Sequence, residues 1–379
     1  MKNTYIFIVL IIFIIAGMVY EKNSIQPESL KTEKAAVLSG KNPGKKDMPD
    51  ITESPENVLI GYVQDFRDPG SVDYSKLTHV IFSFAHPGKD GKLSLTGETA
   101  MKNLRQMVDL AHRNNVKAIL AVGGWFHMNG GESYDYFKAA VANPVSREKL
   151  VNELIRLVEG ENLDGIDVDF EHPRSHDDAQ NLASFTGELS RKLHAMGKEL
   201  SVAVHAKIHS VSGTETRNIV CEPSMFRHAD HVNIMAYDGQ WDGGYDAANL
   251  SPYPFTEKIV NYWANLFEGL GISKEKLVLG VPSYAQPEDP AIKQVSYGAI
   301  IDNDPENARR DIISINGTTY HYNGETTIQK KTELAIGRGF GGMMLWELGL
   351  DAKGPYSITG AIDQVMGGPV NYYSARNSQ

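Results

Sequence analysis

Short runs of apolar residues recur along the chain and alternate with longer segments whose apolar residues are spaced as on one face of a helix. Eight runs predict strands at residues 58–64, 79–85, 116–123, 166–171, 199–206, 231–237, 276–282 and 341–347. Helices are predicted at residues 72–77, 98–114, 177–196, 256–270 and 326–337, and another begins at Asn143-Pro144. This alternation predicts an α/β protein with a (β/α)8 TIM barrel, whose functional residues lie at the C-terminal ends of the strands.

The fourth predicted strand carries an unusual pattern of charge. If residues 166–171 are extended, Asp167, Asp169 and Glu171 line one face, while the apolar residues between them line the other. Each ionised acid in a buried row raises the pKa of the next, and burial itself favours the protonated form. At least one acid should therefore hold a proton near neutral pH, which favours a role in acid catalysis.

About forty residues separate the seventh strand from the helix at residues 326–337. They form a short insertion after strand seven, and Asn316-Gly317 within it is typical of a tight hairpin turn.

Composition narrows the class of partner. The net charge of −10, without a dense block of Lys or Arg, argues against a nucleic-acid surface and favours a neutral or cationic substrate. The single cysteine, Cys221, excludes an internal disulfide and a thiolate metal cluster. His86, His172 and His205 lack the paired spacing of metal ligands, so neither a metal nor a cofactor is expected.

The two ends of the sequence differ from the middle. An apolar run at residues 5–19 follows Lys2, so residues 1–20 read as a secretory signal or an uncleaved membrane anchor. Residues 21–56 are polar and predict a flexible linker, and residues 371–379 form a short tail. We expect an exported protein, secreted, periplasmic or tethered to the outer side of a membrane through residues 5–19, with one monomeric catalytic domain at residues 57–370.

The acidic strand resembles a known signature. Asp164, Asp167, Asp169 and Glu171 fit the pattern Asp-x-x-Asp-x-Asp-x-Glu of glycoside hydrolase family 18, the chitinases and endo-β-N-acetylglucosaminidases. The alternative is an acidic strand or loop that binds calcium or magnesium. That alternative is less favoured, because such loops carry Gly and Asn between the ligands rather than Ile, Val and Phe.

Other segments are similar to motifs of the same family. Residues 235–238, Met-Ala-Tyr-Asp, match its Met-x-Tyr-Asp motif, and Trp346 resembles the tryptophan that forms the floor of the sugar site. Residues 123–125 resemble its Ser-x-Gly-Gly region, with Ala121 in place of serine. Taken alone, core packing or a tight turn would explain each segment.

Three departures from the family pattern concern the substrate more than the reaction. Residues 280–286 are similar to Gly-x-Pro-x-Tyr-Gly-Arg but lack the final Gly-Arg, so the Tyr284 contact transfers and the arginine contact does not. His172 follows the acid where an aromatic Tyr or Trp is frequent. The insertion is also shorter than that of processive chitinases, so we expect a more open groove.

The resemblance implies a substrate-assisted mechanism. Glu171 would protonate the glycosidic oxygen, and the substrate's own 2-acetamido oxygen would attack the anomeric carbon. Asp169 would orient the acetamido N–H, Asp167 would share a proton with Asp169, and Tyr237 would hydrogen-bond the acetamido oxygen. The implied substrate contacts are Tyr62, Phe84, Gly124, Trp125, Met235, Asp238, Tyr284 and Trp346.

Three functions remain open on these grounds. The first is hydrolysis of β-1,4-linked N-acetylglucosamine polymers, with retention of configuration. The second is an endo-β-N-acetylglucosaminidase acting on the chitobiose core of N-glycans or on cell-wall glycan. The third is a non-catalytic sugar-binding lectin on the same barrel, which is less favoured because such relatives usually lose the acid at the position of Glu171.

Overall fold

Eight parallel strands close into the predicted barrel in the computed structural model, which describes residues 57–367. The barrel strands are β1 (Val58–Gln64), β2 (His79–Pro87), β4 (Lys117–Gly123), β5 (Gly165–Asp169), β6 (Glu199–His205), β7 (His231–Met235), β8 (Leu277–Pro282) and β13 (Gly342–Trp346). Their order is β1-β13-β8-β7-β6-β5-β4-β2, and β2 pairs with β1 to complete the ring. The short β3 (Leu93–Ser94) pairs antiparallel with the end of β2.

Helices connect most of these strands and cover the outside of the barrel. They are α1 (Gly97–Arg113), α2 (Tyr134–Ala142), α3 (Pro144–Gly160), α4 (His176–Ala195), α5 (Ser224–His228), α6 (Tyr253–Leu270), α7 (Tyr297–Asn303), α8 (Glu325–Gly337) and α9 (Ile358–Met366). The fold class predicted from the apolar pattern is confirmed.

The apolar residues form two separate cores, as strand alternation requires. Ile166, Val168 and Phe170 point outward from β5 into a large core shared with the surrounding helices. Ile60 and Ile119 point inward and belong to a smaller cluster inside the barrel. Alternate residues along one strand therefore pack into different cores. The inward positions of β5 are left for the acids.

The insertion after strand seven is a small sheet with one helix. Strands β9 (Tyr284–Pro287), β10 (Val295–Ser296), β11 (Ile312–Ile315) and β12 (Thr318–His321) pair antiparallel in the order β10-β9-β12-β11, and α7 lies between β10 and β11 in the chain. Asn316 and Gly317 have φ values of 52° and 81°. Positive φ at both central residues is the requirement of the predicted hairpin turn.

The differences from the sequence-based elements are local. The helix expected at residues 72–77 is absent from the described chain; a 3₁₀ turn at Pro69–Ser71 precedes that stretch, with the Asp68 side chain accepting from the Gly70 N–H. The short helices α2, α5, α7 and α9, of five to nine residues, were not predicted, because segments of this length contain too few turns to show a helical period.

Three expectations concern residues outside the described range. The signal or anchor at residues 1–20, the linker at 21–56 and the tail at 371–379 all lie outside residues 57–367 and stay predictions. Over the part of the chain that the structure describes, helices are too short or too polar to cross a bilayer.

The start of α3 provides a test of local stability. Asn143 caps this helix, because its side-chain oxygen accepts a hydrogen bond from the Val145 N–H at 2.8 Å. We expect Asn143→Ala to lower the free energy of unfolding by about 1 kcal/mol, measured by urea denaturation followed by circular dichroism. Ser133→Ala is the control, because Ser133 precedes α2 without a side-chain cap bond. Equal losses in both variants would contradict the capping role.

Candidate active site

The three predicted acids form a row that rises from the interior of the barrel to its mouth. Asp167 and Asp169 are inward positions of β5, and Glu171 lies two residues beyond the end of that strand. Asp167 is fully buried, Asp169 is 3% exposed and the Glu171 side chain is 17% exposed. Only the last acid is therefore accessible from solvent at the C-terminal end of the barrel.

Asp167 is held by hydroxyl and amide donors at the bottom of the row. One carboxylate oxygen accepts from the Tyr62 hydroxyl at 2.8 Å, and the other accepts from the Ser201 hydroxyl at 2.5 Å. The Asn233 amide donates to the second oxygen at 3.2 Å and to the Tyr62 hydroxyl at 3.1 Å. Burial raises the pKa of Asp167 to about 6, although these hydrogen bonds favour its ionised form.

Asp169 retains its proton most strongly. Burial raises its pKa well above the usual value, and the charges of Glu171 and Asp167 on either side raise it further. One oxygen of Asp169 is buried without a hydrogen-bond partner. A neutral carboxyl group is the form that tolerates this environment at lowest cost.

Glu171 combines partial exposure with a pKa suited to proton transfer. Burial and the charge of Asp238 raise its pKa to about 7, while a hydrogen bond with Asp169 opposes this rise. The same hydrogen bond raises the pKa of Asp169, so the shared proton belongs to Asp169. A carboxyl group that titrates near neutral pH can act first as an acid and then as a base.

Two tyrosines and Asp238 form the wall beside Glu171. The Tyr237 phenol lies inside the barrel, 4.0 Å from the Met344 sulfur, and its pKa is raised well above 10 by burial and by the neighbouring acids. Asp238, with φ of 62°, accepts a hydrogen bond from the Tyr284 hydroxyl at 2.6 Å. Both phenols therefore remain neutral donors at the same mouth as Glu171.

Aromatic rings form the floor of the site. The Trp346 indole stacks on Phe84 with ring centres 5.8 Å apart, and it lies 5.4 Å from the Tyr62 ring. Gly124 has φ of 79°, and a Cβ atom there would lie 2.8 Å from the Phe84 ring. Both the backbone conformation and the close approach to Phe84 thus require glycine at this position.

The remaining predicted contacts lie at the edges of this floor. Met235 ends β7 and packs against the cluster inside the barrel. Trp125 follows β4, is 39% exposed, and has its ring centre 6.1 Å from that of His172. The His172 Nε2 lies 3.8 Å from a Glu171 oxygen, and burial together with His205 lowers the pKa of His172 to about 3. His172 is therefore neutral at physiological pH.

The structure brings all twelve sequence-predicted site residues to one end of the barrel, but it adds partners that the motifs did not indicate. Ser201 lies beside Asp167 in the strand register, and this pairing required knowing the sheet. Glu347, fully buried, accepts from the Arg67 guanidinium at 2.6 and 2.9 Å and fixes the end of β13 next to Trp346.

The geometry also bears on the alternative of a calcium or magnesium site. Both oxygens of Asp167 already accept hydrogen bonds, and burial together with the neighbouring acids raises the pKa of Asp169, which favours its neutral form. Hard cations require ionised, accessible oxygens. An acid with a raised pKa above an indole floor, at the C-terminal mouth of a parallel barrel, is instead the arrangement that the resemblance to family 18 implies.

The chain belongs to the family described as Glycosyl hydrolases family 18, whose model matches residues 58–351. Chitinase 1 of Aphanocladium album is 24% identical over 381 residues, which cover 84% of this chain and 86% of that protein. A GH18 chitinase, ChiB, from the chitin utilization locus of Flavobacterium johnsoniae has a TM-score of 0.68 at 27% identity, covering 83% of this chain and 94% of that chain.

A lectin relative shares the same fold. The chitinase-like agglutinin of Robinia pseudoacacia has a TM-score of 0.67 at 20% identity, covering 81% of this chain and 99% of that chain. The same barrel therefore occurs in chitinases and in an agglutinin, and activity has to be argued from the residues of the site.

The raised pKa of Glu171 predicts a pH-dependent stability. A carboxyl group whose pKa is higher in the folded than in the unfolded chain lowers stability progressively as the pH rises from about 4.5 to about 7. We expect Glu171→Gln to raise the free energy of unfolding at pH 8 by roughly 2 kcal/mol, with a much smaller gain below pH 4.5. Urea denaturation at both pH values measures this difference.

The exposed Glu159 of α3 provides the control for that experiment. Glu159→Gln should change the free energy of unfolding little and equally at the two pH values. A Glu171→Gln variant whose effect is independent of pH would contradict the raised pKa.

Proposed function

We propose that the chain hydrolyses β-1,4-linked N-acetylglucosamine polymers with retention of configuration, in a chitinase-like reaction assisted by the substrate. The observation that supports this most directly is the row of acids. Glu171 is the accessible acid of the row and its pKa is raised to about 7, whereas Asp169 behind it is buried and its pKa is raised well above the usual value. The row thus pairs one acid/base near neutral pH with a buried acid that favours its neutral form, and the resemblance to family 18 implies that the nucleophile is the acetamido oxygen of the sugar.

The first chemical step breaks the glycosidic bond. Protonated Glu171 donates its proton to the glycosidic oxygen, and the 2-acetamido oxygen of the same sugar attacks the anomeric carbon as the leaving group departs. The product is an oxazolinium ion. In the second step, ionised Glu171 removes a proton from water, which opens the oxazolinium ring and restores the original configuration.

Asp169 and Tyr237 would hold the acetamido group. We propose that Asp169 accepts from the acetamido N–H and that the neutral Tyr237 phenol donates to the acetamido oxygen. To accept this bond Asp169 has to be ionised, so we propose that it passes the shared proton to Glu171 when substrate binds, which makes Glu171 the acid of the first step. One oxygen of Asp169 is buried without a hydrogen-bond partner before substrate arrives.

Asp167 would act on this step through its charge. The sequence-based hypothesis was a proton shared between Asp167 and Asp169. In the described conformation the carboxylate oxygens of Asp167 accept from Tyr62, Ser201 and Asn233, and the hydrogen bond of Asp169 goes to Glu171. We propose that Asp167 helps to keep the proton on Asp169 until substrate binds and the proton passes to Glu171.

Exposed aromatic side chains support a polymeric substrate. Trp125 and Phe126, which follow β4, are 39% and 71% exposed, and Trp241, which follows β7, is 61% exposed. Flat apolar faces of this kind stack on the C–H faces of pyranose rings. They extend the binding surface beyond the half-buried Trp346 floor and favour several bound sugar units.

A glutamine at the acid position tests the catalytic role. Glu171→Gln keeps the size of the side chain but cannot transfer the proton, so we expect kcat on chitohexaose to fall by roughly 10³-fold. Binding of the oligosaccharide, measured by calorimetry, should remain within about threefold of the wild-type value. Glu159→Gln is the matched control and should retain full turnover; near-normal turnover by Glu171→Gln would rule out the acid role.

The requirement for the acetamido group tests substrate assistance. We expect cleavage of chitohexaose and no cleavage of cellohexaose, because glucose units lack the attacking oxygen. Mass spectrometry of the products, run beside an N-glycopeptide and a cell-wall glycan, assigns the natural bond. Cleavage of the N-glycopeptide alone would favour the endo-β-N-acetylglucosaminidase, and binding of chitohexaose without any cleavage would favour the lectin. Hydrolysis of cellohexaose would contradict the mechanism.

A further inference from the structure

A second group of polar side chains lies inside the barrel at the end opposite to the acids. His79, Glu199 and His231 are the first residues of β2, β6 and β7. One nitrogen from each histidine and one oxygen from the glutamate lie within 4.8 Å of one another. These residues are distinct from His86, His172 and His205. Strands β6 and β7 are adjacent, and His79 on β2 meets their first residues across the interior of the barrel.

Each donor atom is oriented toward the others. The His79 Nε2 lies 2.9 Å from a Glu199 oxygen, and the His79 Nδ1 lies 2.7 Å from the Thr78 hydroxyl. A partner on the second nitrogen fixes the ring orientation, which is the usual arrangement for a metal-binding histidine. The His79 and His231 rings meet edge to face with centres 5.1 Å apart.

His231 contributes the least satisfied atom of the group. Its Nδ1 is buried and has no hydrogen-bond partner. A buried polar atom without a partner costs free energy, and a bound ion or water would offset that cost. A small cavity of about 10 Å³ lies beside the three side chains, between Ile60, Ile81 and Ser201. It has room for about one water molecule.

We propose that His79, Glu199 and His231 bind a divalent transition-metal ion of the zinc type, with water as the fourth ligand. Two imidazoles and one carboxylate are a known ligand set for Zn²⁺. Tetrahedral ligands at about 2.1 Å from the ion lie roughly 3.4 Å apart, so small side-chain rotations close the present spacing. The ion would join β2, β6 and β7 at the closed end of the barrel.

Lys117 competes for the same carboxylate. Its ammonium group forms an ion pair with the Glu199 oxygen that does not contact His79, and its side chain is 49% exposed. Glu199 itself is 26% exposed, so an ion can enter from solvent. Lys117 balances the charge of Glu199 without a metal, and a bound cation would weaken this ion pair.

Calorimetric titration of the full-length, tag-free protein with ZnCl₂ after chelator treatment tests the proposal. We expect one zinc site, and His231→Ala or Glu199→Gln should weaken its affinity by roughly tenfold or more. His112→Ala is the control, because His112 forms a similar pair with Asp164, at 2.7 Å, but is not part of the three-donor group. Circular dichroism establishes that each variant is folded.

A second variant tests the site without removing a donor. Lys117→Met retains all three ligands and eliminates the competing ammonium group, so zinc should bind several-fold more tightly than to the wild type. Failure of the folded wild-type protein to bind zinc would overturn the proposal. Binding that survives both His231→Ala and Glu199→Gln, or that weakens in Lys117→Met, would also overturn it. Since these readouts do not involve hydrolysis, they are independent of the proposed function.

Discussion

The burial of three neighbouring carboxyl groups in one row is the constraint on which the rest of the active site depends. Burial raises the pKa values of Asp167, Asp169 and Glu171; the charges of Glu171 and Asp167 raise that of Asp169 further, and the charge of Asp238 raises that of Glu171 further. Among the ion pairs of residues 57–367, none joins Lys or Arg to these acids. The site therefore retains protons at a pH where isolated carboxyl groups would have lost them.

The free-energy cost of burying these acids is offset in different ways at the two ends of the row. At the bottom of the row, Tyr62, Ser201 and Asn233 stabilise the ionised form of Asp167 by hydrogen bonds. At the top, partial exposure allows Glu171 to exchange protons with substrate and water. The aromatic floor is apolar and contributes binding without adding charge, and the Arg67–Glu347 pair fixes the backbone beside it. Acid strength and sugar affinity thus come from different side chains of the same mouth.

Much of this arrangement could be predicted from the sequence, because the spacing of apolar residues and the alternation of side chains along a strand are local properties. The alternation around Val168 already separated the acids from the outer core, and Asn143-Pro144 located the start of α3. The partners of Asp167 could not be predicted, since Ser201 becomes its neighbour only through the register of β5 and β6. The same holds for His79, Glu199 and His231, whose proximity depends on the closure of the barrel rather than on spacing along the chain.

The central claim is that Asp169 and Glu171 share a retained proton, and carboxyl ¹³C NMR of protein labelled at Asp and Glu tests it most directly. The resonances are assigned with Asp169→Asn and Glu171→Gln. Our account predicts that Asp169 remains protonated at pH 7 and that Glu171 titrates near pH 7 in a coupled transition. Complete ionisation of all three acids below about pH 5 would contradict it.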